Sequence, residues 1–172
     1  MDMMNKGQEQ SLDLIFAMGT FIVALLLITS TWLMIGNRVN SAVDRTNIGD
    51  AAFYAAEALV TTPGNPINWH EQNNMTGVNA IGLADYRNVI NSDKLEKLQA
   101  LINDNSTGDS AKEALGLGRY SVNIDVEQIN GTKLYSFGDA FNETDETTTN
   151  LIVQRMAILN GSIVRMKVSV WE

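Results

Sequence analysis

The chain opens polar, turns apolar at Leu14 and carries no charged residue over residues 14–35. As an α-helix these about 22 residues would cover roughly 33 Å at ~1.5 Å per residue, enough to cross a hydrocarbon core of ~30 Å. That exceeds the ~7–15 apolar residues of a secretory signal peptide, so a retained membrane span is expected. Beyond Gly36 the pattern becomes periodic. Val39, Ala42, Val43, Ala52, Phe53, Ala56, Leu59 and Val60 recur mostly at three or four residues or at whole turns, with Asn37, Arg38, Asp44, Arg45, Asp50 and Glu57 on the polar faces. The spacing predicts one helix over residues 12–61, ended by Pro63, Gly64 and Pro66, with Gly36 and Gly49 as the places where it bends. Two separate helices broken at Gly36-Asn37 are the alternative.

The C-terminal third has period two. Tyr120, Val122, Ile124 and Val126 alternate with Ser121, Asn123 and Asp125, and Asn130-Gly131 predicts a type I′ turn into a returning strand over 132–137. A second hairpin follows, with a strand over 152–159, Asn160-Gly161 at its turn, and Val164, Met166, Val168 and Val170 lining one face of the last strand. Two such hairpins predict a four-stranded antiparallel sheet. Between them, residues 138–150 read as a solvated loop containing Glu143, Asp145 and Glu146. In the middle of the chain, Ser92 is positioned to cap a helix bearing Leu95, Leu98, Leu101 and Ile102, and Ser110 with Glu113 fits a capping box for a shorter one. Trp69 and the Ile81-Gly82-Leu83-Ala84 island are expected to pin their loops to the core. The fold class that follows is α+β, a long N-terminal helix packed on the sheet. Its amphipathic stripe (Val39, Val43, Phe53, Ala56, Leu59) should face Val122, Ile124, Met166 and Val168.

Composition narrows the chemistry. A net charge of −8 and a pI near 4.6 argue against nucleic acid as a partner, because such affinity rests on Lys and Arg neutralising phosphates. The absence of cysteine excludes a disulfide framework, a thiolate nucleophile and cysteine-ligated zinc. His70 has no second histidine to share a metal, and a calcium loop starting at Asp104 would place Leu115 where its terminal acidic ligand belongs. There is no GxSxG and no P-loop. No catalytic residue, metal or cofactor is expected, and the chain reads as a non-enzyme.

Lys6-Gly7-Gln8, with Ser11 and Asp13 leading into the apolar run, resembles the class III signal peptide of archaeal type IV pilin-like proteins. Counted from Gln8, Ser11 and Asp13 stand one place later than the family pattern, and Asp13 replaces its glutamate. Leu59 through Trp69 (LVTTPGNPINW), Gly82-Leu83-Ala84, Lys94-Leu95 and Gly116-Leu117-Gly118-Arg119-Tyr120 also look like landmarks of these proteins, in much the same order. The resemblance implies that a prepilin peptidase cuts between Gly7 and Gln8. The chain then divides into a leader (residues 1–7), a transmembrane and assembly helix (8–36) and an extracellular head (37–172). It also implies a structural subunit of a pilus, minor or specialised, whose partners are the membrane, the assembly machinery and then other pilin subunits. Asp13 would set register between subunits, or else rest at the headgroup interface, where charge costs little. Gly19 and Ala24 would let neighbouring helices approach closely. An adhesin using the 62–118 loops, or a surface domain that stays anchored without polymerising, remains open. Five Asn-x-Ser/Thr sequons follow the span, at Asn74, Asn105, Asn130, Asn142 and Asn160, and on an external head they are candidates for N-glycosylation.

Overall fold

The computed structural model describes residues 3–72, 74–140 and 150–172 and, for residues 3–12, 37 and 40–42, the backbone alone. The predicted solvated loop and the Asn142 sequon therefore lie largely or wholly outside the described residues. The chain forms two compact units, Met1–Asp44 and Arg45–Glu172, divided within the first helix.

Helix α1 runs Met3–Thr61. It starts nine residues before the predicted position because Met, Asn, Lys, Gln and Glu are all compatible with helix and the lone Gly7 is not enough to stop one. It stays helical through Gly36 and Gly49, so the two-helix alternative does not occur. In the first unit Val39 and Val43 are exposed, contrary to the predicted stripe. The part of α1 in the second unit buries Ile48, Ala52, Ala55, Ala56, Leu59 and Val60. Phe53 is 49% exposed instead, since neighbours on a helix point about 100° apart and Ala52 holds the inward direction. The Phe53 ring edge-stacks on Tyr54 and lies 4.7 Å under the Arg155 guanidinium, which also donates to Glu57 at 3.0 Å.

Ala52, Ala56, Leu59 and Val60 share one apolar cluster with Val122, Ile124, Val126, Met166, Val168 and Val170. The strands carrying the latter are β3 (Ser121–Gln128) and β6 (Ser162–Trp171). With β4 (Lys133–Gly138) and β5 (Asn150–Leu159) they form the two predicted hairpins, joined by antiparallel pairing of β3 with β6. Among the described residues the sheet nevertheless has six strands and is mixed, correcting the four-stranded expectation. β1 (Ala84–Tyr86) and β2 (Val89–Ile90) extend it in the order β1-β2-β5-β6-β3-β4, and β2 runs parallel to β5. Strands of three and two residues are too short for a period of two to register. The turns differ as well. Asn160 and Gly161 both take positive φ, the type I′ pattern, whereas of Asn130 and Gly131 only the glycine does. There a four-residue connection, closed by Gly131 N donating to Gln128 O at 2.9 Å, shifts the register after Val126.

Helix α2 (Ser92–Asn103) buries the four apolar residues predicted, but its cap is Asn91, whose side chain accepts from the amides of Asp93 and Lys94 at 2.8 and 3.1 Å. Helix α3 (Gly108–Ala114) follows Thr107, so Ser110 lies inside the helix and caps nothing. The Thr107 hydroxyl donates backward to Leu101 O at 2.9 Å.

The C-terminus of α1 is enclosed by a collar of loops. Trp69, fully buried, donates its indole N–H to Gly82 O at 2.9 Å. A Cβ at Gly82 would collide with the Thr62 carbonyl, so only glycine permits this approach. Leu83 N and Asn88 N donate to the carbonyls of Leu59 and Val60 at 3.0 and 2.7 Å, and Ala84 N donates to Thr62 O at 3.0 Å. Lys94, 2% exposed, reaches Pro63 O at 2.9 Å and Ala84 O at 3.4 Å, with Asp85 4.0 Å away.

Two measurements check this packing. In urea unfolding, Leu59→Ala should cost about 2–5 kcal/mol as a buried truncation, while Phe53→Ala should cost about 1 kcal/mol, the scale of an exposed cation–π contact. Burial holds the Lys94 amine below its ordinary pKa of 10.5, with Asp85 opposing the shift in part. The unfolded chain therefore binds more protons in the alkaline window below 10.5, and stability should rise with pH there. Lys94→Met should abolish that rise in denaturation midpoints taken across the same window.

Candidate functional site

The segment of α1 over Asp13–Gly36 is the feature the fold leaves unexplained. It has 24 residues, is long and apolar enough to cross a membrane, and has 0% of its apolar window buried within the chain. A helix of this composition in a soluble core would be buried, so here the apolar surface is available to lipid, to a secretory route or to other chains.

Its polar groups are arranged for such a medium. The hydroxyls of Thr20, Thr29, Ser30 and Thr31 donate to carbonyls one turn back, at 2.8, 2.9, 3.0 and 2.7 Å. An internally bonded hydroxyl brings no unsatisfied donor into hydrocarbon. The ends are marked differently. Asp13 is exposed at one end, and near the other the exposed Trp32 precedes Gly36 by one turn, the position at which an amphipathic indole suits a membrane interface. Gly19 and Ala24 are exposed, and a Cβ at Gly19 would meet nothing within 4 Å of its own chain. Lys6, Gly7 and Gln8 lie in the first turns of α1, where the backbone alone is described.

The structure brings together the scattered landmarks at the C-terminus of α1. The 59–69 segment, Gly82-Leu83-Ala84 and Lys94-Leu95 meet in the collar, and Leu117 of the Gly116–Tyr120 run joins the same apolar cluster. Of the sequons, Asn74, Asn105, Asn130 and Asn160 are exposed. Asn74 Oδ1 accepts from Thr76 N at 3.2 Å and Asn130 Oδ1 from Thr132 N at 3.0 Å, forming local turns. His70 is half-buried beside Trp69, its Nδ1 without a hydrogen-bond partner among the described residues. The loop at Asp104 closes on itself: the carboxylate accepts from Ser106 N at 2.8 Å and Ser106 Oγ at 2.9 Å, and these donors hold its pKa below the ordinary value. No group of three or more His, Cys, Asp or Glu suited to a metal occurs among the described residues. The sequence reading missed the contacts of Lys94, which stands among Asp93, Glu96 and Lys97 with nothing to set it apart, and of Arg155, whose sequence signal was a single charge in an otherwise apolar stretch.

No family model matches the chain, and no solved structure matches it. It is similar to a protein of Archaeoglobus fulgidus described as uncharacterized, 26% identical over 151 residues, which cover 79% of this chain and 78% of that one.

If Asp13–Gly36 spans a membrane, Leu25→Lys places a charge near its middle at a cost of about 2.5–3.5 kcal/mol on insertion scales. The variant should then shift from the membrane to the soluble or degraded fraction, read by fractionation and immunoblot. An unchanged membrane fraction would contradict the span.

Proposed function

We propose that the chain is a structural subunit, minor or specialised, of an archaeal type IV-like pilus. In this reading the leader is removed before Gln8, the helix anchors the subunit in the membrane, and polymerisation transfers that helix from lipid into contact with the helices of other subunits. The observation that carries the proposal is an apolar helix with none of its window buried, its hydroxyls internally bonded, in a chain that also folds a separate head. Exchanging one apolar medium for another requires little net desolvation, so small residues and close packing decide the association. Asp13 at the entrance of the span is placed either to pair with a neighbouring subunit or to rest among headgroups. The leader pattern at Lys6-Gly7-Gln8 supports processing on the cytoplasmic side of the helix.

A second reading, the head as a displayed binding module, is favoured by a polar cleft built from the 62–118 loops. It is compatible with the first, since a filament subunit can display its head.

Mass spectrometry of the native chain should give Gln8 as the first residue; an intact Met1 or a start beyond the apolar segment would overturn the processing scheme. The double variant Gly19→Leu/Ala24→Leu keeps the segment apolar and equally long. It should insert and be processed normally while its incorporation into sheared filaments falls, and normal incorporation would remove the packing argument.

A further inference from the structure

In the second unit, the turn at 75–79 and helix α3 face each other across a cleft of about 580 Å³, within the ~300–1,000 Å³ range of small-ligand sites. Thr76, Asn79, Ser106, Ser110 and Glu113 contribute its polar lining. Met75 and Val78 also line it and pack partly buried against the core, giving it an apolar floor. Ser110 and Glu113 stand three apart on α3 and so share one face.

The walls are fixed by bonds that leave ligand-facing groups available. Val78 N donates to Met75 O at 3.1 Å and Asn79 N to Asn65 O at 2.9 Å, so the Asn79 side-chain amide is not needed to hold its turn. On the other side the Ser106 hydroxyl donates to Asp104 at 2.9 Å, which leaves its oxygen as an acceptor. Among the described residues the lining contains hydroxyls, an amide and one carboxylate, and no lysine, arginine or histidine. A phosphate, sulfate or carboxylate ligand would meet Glu113 with no compensating cation. A neutral or amino-bearing polyhydroxylated ligand can satisfy every group and lay its C–H face on Met75.

We infer that this cleft binds a saccharide. The inference rests on the reading of the head as a displayed binding module and deepens it. Two sources are possible for the sugar, because the sequons Asn74-Met75-Thr76 and Asn105-Ser106-Thr107 each place two residues in the cleft lining. A glycan on either asparagine would stand at its mouth.

Saturation-transfer difference NMR on the full native chain, held in a phosphocholine detergent, tests this with lactose, maltose and chitobiose as probes. At least one disaccharide should show transfer, either with the native chain or, if the chain's own glycan fills the cleft, only with the Asn74→Gln/Asn105→Gln variant. Glu113→Ala and Ser110→Tyr lie at exposed positions on α3, so they leave the fold intact. Glu113→Ala should weaken binding about tenfold, a loss on the scale of a charged hydrogen bond, and Ser110→Tyr should abolish it by filling the cleft. No transfer in either the native or the sequon-free chain, or transfer unchanged in both α3 variants, overturns the inference. The start at Gln8 and incorporation into filaments are read separately, so such a failure leaves the assembly proposal standing.

Discussion

The second unit depends on how the last turn of α1 disposes of its carbonyls. A helix ends with carbonyls that lack intrahelical partners, and leaving such groups buried and unpaired costs roughly 1–3 kcal/mol each. Here the amides of Leu83 and Asn88 take those of Leu59 and Val60, Ala84 takes Thr62, and the Lys94 amine takes Pro63. These donors lie on the segment that becomes β1, β2 and the start of α2. Ending the helix and extending the sheet are therefore a single event. Asn88, which donates to Val60 through its N–H, accepts from Ile158 N through its carbonyl at 2.7 Å, linking the helix terminus to β5.

That arrangement explains which parts of the fold were legible in the sequence. The strands β3, β5 and β6 are eight to ten residues long, and over that length alternation specifies which face is buried. β1 and β2 are held by amides of the collar, and backbone donors leave no trace in a pattern of side chains. The Ser92 cap failed by one position because Asn91, also a strong cap former, stands directly before it. The stripe on α1 was correct at Ala52, Ala56, Leu59 and Val60 and failed at Val39 and Val43, which are exposed, and at Phe53, where size suggested burial but direction did not.

The apolar helix could be read from residue type because its signal is an absence of charge sustained for about six turns. Its hydroxyls could not be judged that way, since a threonine in such a run is a liability or a neutral residue depending on whether it bonds back to its own helix. The cleft was invisible for a different reason. Thr76 and Ser110 are separated by more than thirty residues, and only the packing of the 75–79 turn against α3 brings them to one surface.

The collar also has a mechanical consequence. A pull transmitted along α1 leaves the helix at Thr61, where the chain passes into the loops, so the load divides between the buried stripe and the bonds from Leu83, Ala84, Asn88 and Lys94. Those bonds all come from one stretch, residues 83–94, that packs as a whole around the end of the helix, and a displacement that breaks one must strain the others. The second unit would thus yield as a whole under tension, without first unravelling from the end at which it is pulled.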